Sequence, residues 1–315
     1  MYFIKLIRPI NLAIIAITMY GIRFYILTVN YFQVVKDNAF DFFLLVFSTI
    51  LIAAAGNIIN DYFDVKADRI NKPDKLIITK HIKRRWAILT HWIFNGIAFL
   101  IAIYLSARYQ SLWFVFIHLL SINTLWFYSM LFKRKILLGN VLIALLTTCV
   151  PLLVVIYFKT GNAFHLTYSE FNPDSWISII DYRLIYLLAF FAFIQNLARE
   201  VIKDVQDVRG DKLIYVKSLP MIIGEAKSLY ITSILLTILP ISYFVISLFN
   251  FDELLGSTHF LIATIPFSLA SLINLIVIVL IFSNKHKKLK LYDSLIKIGM
   301  LIGVLATYYL AYFHL

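Results

Sequence analysis

Two stretches of the chain carry one acidic pattern. NIINDYFDVKADR holds Asp61, Asp64 and Asp68, and EVIKDVQDVRGDK holds Asp204, Asp207 and Asp211. Both read D-x-x-D-x-x-x-D, and each Asp of the second follows its counterpart by 143 residues. On a helix the spacing i, i+3, i+7 puts three carboxylates on one face, and Asn60 joins Asp64 and Asp68 at i, i+4, i+8. Like charges so placed repel one another unless a cation lies among them. An all-oxygen donor set suits a hard divalent ion. Mg²⁺ in particular keeps waters, takes one or two carboxylates and fills its shell with phosphate oxygens. The candidate metal ligands are therefore Asn60, Asp61, Asp64, Asp68, Asp204, Asp207 and Asp211, and two such clusters would hold Mg²⁺ ions bridging one diphosphate. Lys72, Lys75, Arg199, Lys203 and Lys212 lie within a few residues of these acids, and Lys133 and Arg134 lie on a third loop of the same face. Acid and base mixed in this way fit a metal–diphosphate complex. A single acidic helix end is ordinarily a solvated salt-bridge surface; two with identical spacing point to a site.

The elements that must position these groups are membrane spans. The 315-residue chain is 61% apolar and 15% charged, against roughly 45–50% and about 25% for soluble domains. Apolar runs near 10–32, 40–60, 86–107, 111–131, 137–158, 177–198, 228–250, 259–283 and 292–314 each approach or exceed the roughly 20 residues that cross a bilayer core. The fold class expected is all-α, a polytopic bundle of nine transmembrane helices. Of the 29 Lys and Arg, 22 fall on the N-terminal segment and the loops after spans two, four, six and eight, and four fall on the opposite side. Such asymmetry marks the cytoplasmic face. It predicts a cytoplasmic N-terminus, a C-terminus across the membrane, and both acidic clusters in the cytoplasm. The first span is expected to be retained, since no small-residue cleavage site follows a short apolar core.

The acidic clusters follow spans two and six, four helices apart and in the same orientation. Ile59/Ile202 and Val65/Val208 are identical between them, and Lys66/Arg209 and Arg69/Lys212 keep charge. The chain reads as one domain, 1–315, with parallel repeat units of about 1–136 and 137–290 and a last helix, 291–315. The net charge of +12 follows the loops, and no nucleic-acid-binding motif accompanies it. Cys149 is the sole cysteine, which excludes an internal disulfide. The histidines lack metal-ligand spacing and no phosphate-binding P-loop is present.

With NDYFDVKAD and KDVQDVRGD in hand, the chain resembles the UbiA superfamily of intramembrane prenyltransferases. Asn60, Asp61, Asp64 and Asp68 match that family's first motif, with Asn71-Lys72-Pro73 where the family has N-R-P. Asp204, Asp207, Asp211 and Lys217-Ser218-Leu219-Pro220 match the second. Tyr128 and Lys133 ahead of Gly139-Asn140, and Arg8-Pro9 near the start, match two further features. The resemblance implies Mg²⁺-dependent transfer from an allylic prenyl diphosphate. Asn60, Asp64, Asp68, Asp207 and Asp211 would hold the metal. Lys72, Lys133 and Lys203 would neutralise the leaving group, with Lys75, Arg134, Arg199 and Lys212 around it. Ionising the C–O bond leaves negative charge on diphosphate, which metal and Lys stabilise, and positive charge on the allyl unit, which an aromatic face such as Tyr128 stabilises. The second motif looks most like the branch containing digeranylgeranylglyceryl phosphate synthase, which implies a lipid acceptor resembling geranylgeranylglyceryl phosphate. A homogentisate-, naphthoate- or chlorophyllide-like aromatic acceptor is the alternative. The expected partners are these two substrates and membrane lipids, with no nucleic acid and no obligatory protein, in a multi-pass prokaryotic inner-membrane location with the site on the cytoplasmic side.

An ion-coupled transporter is the rival class, but it would place acids at mid-membrane between broken helices. Within the spans, Arg23 is expected to face the bundle or snorkel to the far interface. Asn11 and Asn123 are expected to bridge helices, and Pro151 and Pro240 to kink their spans.

Overall fold

The computed structural model describes residues 2–29, 37–71, 73–166, 182–213, 217–249, 258–284 and 288–314. They form helices α1 (Tyr2–Ile7), α2 (Pro9–Val29), α3 (Ala39–Asn71), α4 (Arg84–Arg108), α5 (Trp113–Met130), α6 (Leu138–Leu166), α7 (Arg183–Leu213), α8 (Leu219–Ile223), α9 (Glu225–Phe249), α10 (Thr258–Asn284) and α11 (Leu289–His314). Single 3₁₀ turns lie at Pro73–Lys75 and Phe132–Arg134. Among the described residues, nine helices are long and apolar enough to cross a membrane, all but α1 and α8. The fold is all-α and membrane-spanning, as the apolar runs predict. Leu100, Phe244 and Val279 are each more than 60% exposed, because lipid rather than water is the solvent for these faces.

The two longest helices outrun the bilayer core by the widest margin. At 1.5 Å per residue the 33 residues of α3 extend about 50 Å, against roughly 30 Å of hydrocarbon. The surplus is the C-terminal end, and it carries the first acidic motif. The 31-residue α7 carries the second in the same way. Both motifs are therefore helical throughout, and the one-face geometry read from their spacing holds.

The helices pack into two compact units. One comprises Met1–Val65, Asp74–Met130 and Cys149–Ala189; the other comprises Lys66–Pro73, Leu131–Thr148 and Phe190–Leu315. In the first, Leu6, Ile58, Val65, Ile78 and Ala87 form a core that anchors the start of the chain and the segment after α3 against α3 itself. Gly56 lets α3 approach α5 closely, since a Cβ there would stand 2.8 Å from Leu125 Cδ1. In the second, Ala198, Ile202 and Val205 of α7 pack with Leu229 and Leu236 of α9, Val277 and Ile281 of α10, and Tyr292 and Ile296 of α11. At about 100° per residue, Asp204, Asp207 and Asp211 fall on the side of α7 roughly opposite this apolar stripe.

Charge inside the first unit is matched. Arg23 donates from Nε to both Asp37 carboxylate oxygens at 3.1 Å and lies over the Phe42 ring at 5.1 Å. Arg23 thus has an internal partner. Nearby, Asp41 is 2% exposed and accepts from the hydroxyls of Tyr104 at 3.1 Å and Tyr109 at 3.0 Å. Tyr157 donates to the Asn38 carbonyl and accepts from the Asn38 amide, both at 3.0 Å. Burial, then hydrogen bonds with Tyr157 and Asp41, push the Tyr109 phenol far above its ordinary value, so it serves as a neutral donor. Asn123 departs from expectation. It donates to the Leu119 carbonyl of its own helix at 2.8 Å, and Asn11 is exposed, so among the described residues neither bridges helices by a hydrogen bond. Gln195 and Asn196 do bridge helices, to Asn274 at 3.3 Å and Thr147 at 2.8 Å.

Candidate active site

Asn60, Asp61, Asp64 and Asp68 occupy the last turns of α3, all partly buried. Arg8 forms an ion pair with Asp61. It reaches there from the break between α1 and α2, where its backbone adopts φ 57°, a conformation sparsely used by residues other than glycine. Asn57, one turn before Asp61, donates to the Ile7 carbonyl at 3.0 Å and fixes the same break against α3. The side-chain oxygen of Asn60 is buried and, among the described residues, has no hydrogen-bond partner. An orphaned buried oxygen costs about 1–3 kcal/mol, and a cation would repair it.

Asp204, Asp207 and Asp211 lie on the matching turns of α7, again partly buried. Asn140 at the start of α6 donates to Asp204 Oδ2 at 2.8 Å. Lys133, Glu200 and Asp211 are close enough for their charges to act on Asp204. The first carboxylate of each motif is therefore held by a side chain distant in sequence, Arg8 in one case and Asn140 in the other. α6 and α7 are tied together a further two turns along by Asn196 and Thr147.

A separate ionic network lies ahead of the second motif. Arg199 donates from Nε to Asp293 Oδ1 at 2.7 Å and from NH1 to the Asn196 side-chain oxygen at 3.3 Å. Lys297 meets Asp293 Oδ2 at 2.7 Å, and Lys203 pairs with Glu200. Spacing alone did not single out Glu200, Asp293 or Lys297. The available signal was an acid and a base four residues apart inside an apolar helix, which is costly in lipid and marks interior function.

The other expected residues fall as follows. Tyr128 is partly buried near the end of α5, and Lys133 is partly buried in the 3₁₀ turn that precedes α6. Lys212 is exposed. Lys72, and the side chains of Lys75 and Arg134, lie outside the described residues. Phe63, inside the first motif, packs edge-on against Trp126 at 5.9 Å. Trp126 lines a pocket of about 200 Å³ with His91, Trp92, Ile122, Asn123 and Phe127. A wider groove of about 600 Å³ on α4, lined by Arg85, Trp86, Ile88, Leu89 and Trp92, contains no acid. Its exposed Trp and Arg are those of a membrane–water interface.

The donor set fits a hard cation. Among the described residues, no three His, Cys, Asp or Glu side chains converge tightly enough to hold a metal by themselves. A substrate-bridged ion needs less, since Mg²⁺ takes one or two carboxylates and completes its shell with water and phosphate. The unpartnered Asn60 oxygen beside Asp64 supplies such a position.

Among the described residues, nine apolar helices, two of them carrying aspartate-rich ends, define a polytopic helical membrane protein. The chain belongs to the UbiA prenyltransferase family, whose model matches residues 12–296, and it is a prenyltransferase. It is similar to the digeranylgeranylglyceryl phosphate synthase of Pyrococcus horikoshii, at 36% identity over 58% of this chain and 56% of that protein. It is similar to the synthase of the same name from Methanobrevibacter smithii, at 29% identity over 96% of this chain and 95% of that one. Among solved structures, one described as a digeranylgeranylglyceryl phosphate synthase in membranes aligns with TM-score 0.64 and 22% identity over 98% of this chain and 97% of that chain. A UbiA homologue from Archaeoglobus fulgidus, bound to DMAPP and Mg²⁺, aligns with TM-score 0.51 and 17% identity over 98% of this chain and 99% of that chain. These two likenesses establish a shared fold.

Proposed function

We propose that the chain transfers a prenyl group from an allylic prenyl diphosphate to the hydroxyl of a phosphorylated glycerol lipid resembling geranylgeranylglyceryl phosphate, with Mg²⁺ as cofactor. The observation that carries this reading is the matched pair of Asp motifs, each with its first carboxylate anchored, on a chain whose relatives are digeranylgeranylglyceryl phosphate synthases. The Mg²⁺ complex of the Archaeoglobus fulgidus homologue supports the choice of metal.

Asn60, Asp64, Asp68, Asp207 and Asp211 hold the metal–diphosphate, while Asp61 and Asp204 position the two motifs. Bound Mg²⁺ supplies charge neutralisation on the departing diphosphate. Lys133 lies near the second motif and donates to diphosphate oxygens as negative charge builds; Lys72, Lys75, Arg134 and Lys212 surround the same group, whereas Arg199 and Lys203, expected there from the sequence, are engaged by Asp293 and Glu200 and are assigned no part in diphosphate binding. The allylic C–O bond breaks with its electron pair going to diphosphate. The acceptor oxygen then forms the new ether bond and its proton is released. Tyr128 presents an aromatic face to the allylic cation. The apolar spans exclude water that would otherwise capture the cation. The basic loops support a cytoplasmic position for this chemistry, and the equivalence of Asp61 and Asp204 supports a single domain built from two four-helix repeats.

Purified protein supplied with Mg²⁺, geranylgeranyl diphosphate and geranylgeranylglyceryl phosphate is expected to form the doubly prenylated lipid, detected by mass spectrometry. Asp64→Ala and Asp207→Ala are each expected to lower turnover by about 100-fold or more, the scale of losing a principal charge-stabilising group. Turnover within about tenfold of wild type in either variant would sink the metal assignment.

A further inference from the structure

The network of Arg199, Asp293, Lys297, Glu200 and Lys203 is not needed to hold the metal. Three cations meet two carboxylates, so it keeps a positive charge. Its centre is withdrawn from solvent, with side-chain exposures of 16% for Arg199, 15% for Asp293 and 11% for Glu200, while Lys203 and Lys297 remain 35% and 44% exposed. Among the described residues, Arg199 NH2 has no acceptor, since Nε and NH1 make all of its hydrogen bonds. A largely buried guanidinium whose remaining edge is open and unengaged is positioned to take an anion.

Position says which anion. Arg199 is the first charged residue after the run 184–198, which contains none. It lies where apolar helix gives way to polar helix, about 12 Å along α7 from Asp207. On α11, Leu291 and Ile298 flank Asp293 and Lys297 and are 41% and 48% exposed, so the network borders a lipid-facing surface. A ligand reaching it from the bilayer carries its tail along apolar residues and its head at this depth.

We propose that Arg199, Lys203 and Lys297, held in place by Glu200 and Asp293, bind the phosphate monoester of the lipid acceptor, and that acceptor choice therefore resides in α7 and α11. The inference rests on the phosphorylated-lipid reading above. A phosphate monoester offers three oxygens: the free guanidinium edge takes one directionally, and the two ammonium groups add point charges. Asp293 is a positioning residue. It occupies Nε of Arg199 and keeps the guanidinium from turning toward the carboxylates of the second motif.

The test is calorimetric titration of the purified full chain with a short-chain alkylglycerol phosphate, the same ether without phosphate, and inorganic phosphate. The phosphorylated ether is expected to bind at least about tenfold more tightly than either comparator, the scale of charged hydrogen bonds. Arg199→Gln should abolish that preference, Asp293→Asn should weaken it, and Asp293→Glu should restore most of it. Binding of prenyl diphosphate with Mg²⁺ should stay within about twofold of wild type in all three, which also reports an intact fold. In turnover, Asp293→Asn should raise KM for the phosphorylated acceptor about tenfold with kcat little changed. Absence of a phosphate preference in wild type, its survival in Arg199→Gln, or inorganic phosphate binding as well as the ether overturns the proposal. So does a parallel loss of prenyl diphosphate binding in Asp293→Asn, which would make the network a structural staple or part of the donor site. If wild type binds the phosphorylated ether with the expected preference yet forms no prenylated product from it, the acceptor reading fails and the binding site stands.

Discussion

Asp61 and Asp204 occupy the same place in their motifs, and each is engaged by one partner, Arg8 or Asn140. A carboxylate so held orients its neighbours more than it binds metal. Replacing partners of this outer kind typically costs 10–100-fold in metal affinity or activity. Arg8→Gln and Asn140→Ala are accordingly expected to reduce kcat/KM by about tenfold, less than Asp64→Ala or Asp207→Ala. Asn60 differs, because its buried oxygen lacks a partner among the described residues. Asn60→Ala should raise the Mg²⁺ concentration needed for half-maximal activity by about tenfold while leaving thermal stability nearly unchanged, since no protein hydrogen bond is lost. The Asp positions themselves were legible from spacing, because three carboxylates on one helix face are costly without a counter-ion. Their division into anchored and metal-facing members was not, since it depends on side chains 53 and 64 residues away.

Helix length and helix contact set the next level. α3 and α7 must be long because each serves two solvents, an apolar stretch in lipid and an acidic stretch beyond it. The apolar runs located both helices but ended them near the hydrocarbon boundary, as hydropathy does not register a polar helical extension. At Gly56, Ala brings a Cβ against the far end of the Leu125 side chain, which can move. Gly56→Ala should cost less than about 1 kcal/mol, whereas Gly56→Val should cost about 1–3 kcal/mol through overpacking; unfolding midpoints in detergent read the difference. At the opposite end of α3, Asp41 gathers Tyr104, Tyr109 and Arg108. Asp41→Leu removes the acceptor of the exposed Tyr104 hydroxyl and one of the two acceptors of Tyr109, which keeps Tyr157, and should destabilise by about 1 kcal/mol per lost hydrogen bond. Prenyl diphosphate binding to the folded fraction should be retained, because these residues contribute nothing to the Asp motifs.

Across the sequence, basic loops alternate with sparsely charged ones, and that alternation predicts the orientation. A phosphatase fused after Leu315 should be active outside the cytoplasm, and the same fusion in the loop after α3 should be inactive; the reverse pattern would place the Asp motifs on the other face. The chain's local patterns sufficed for the membrane class, the number of spanning helices among the described residues, the two carboxylate faces and the family. Each of these depends on residues within one or two helical turns or on the average apolarity of a segment, and lipid enforces such patterns strictly because every exposed backbone group must be paired within its own helix. Tertiary structure alone decided the pairings. It gave Arg8 to Asp61 and Asn140 to Asp204, turned Asn123 back onto its own helix, and matched Arg199 to Asp293 across 94 residues of chain. A buried charge takes whichever partner packing brings near it, and the periodicity of a single helix carries no record of that choice.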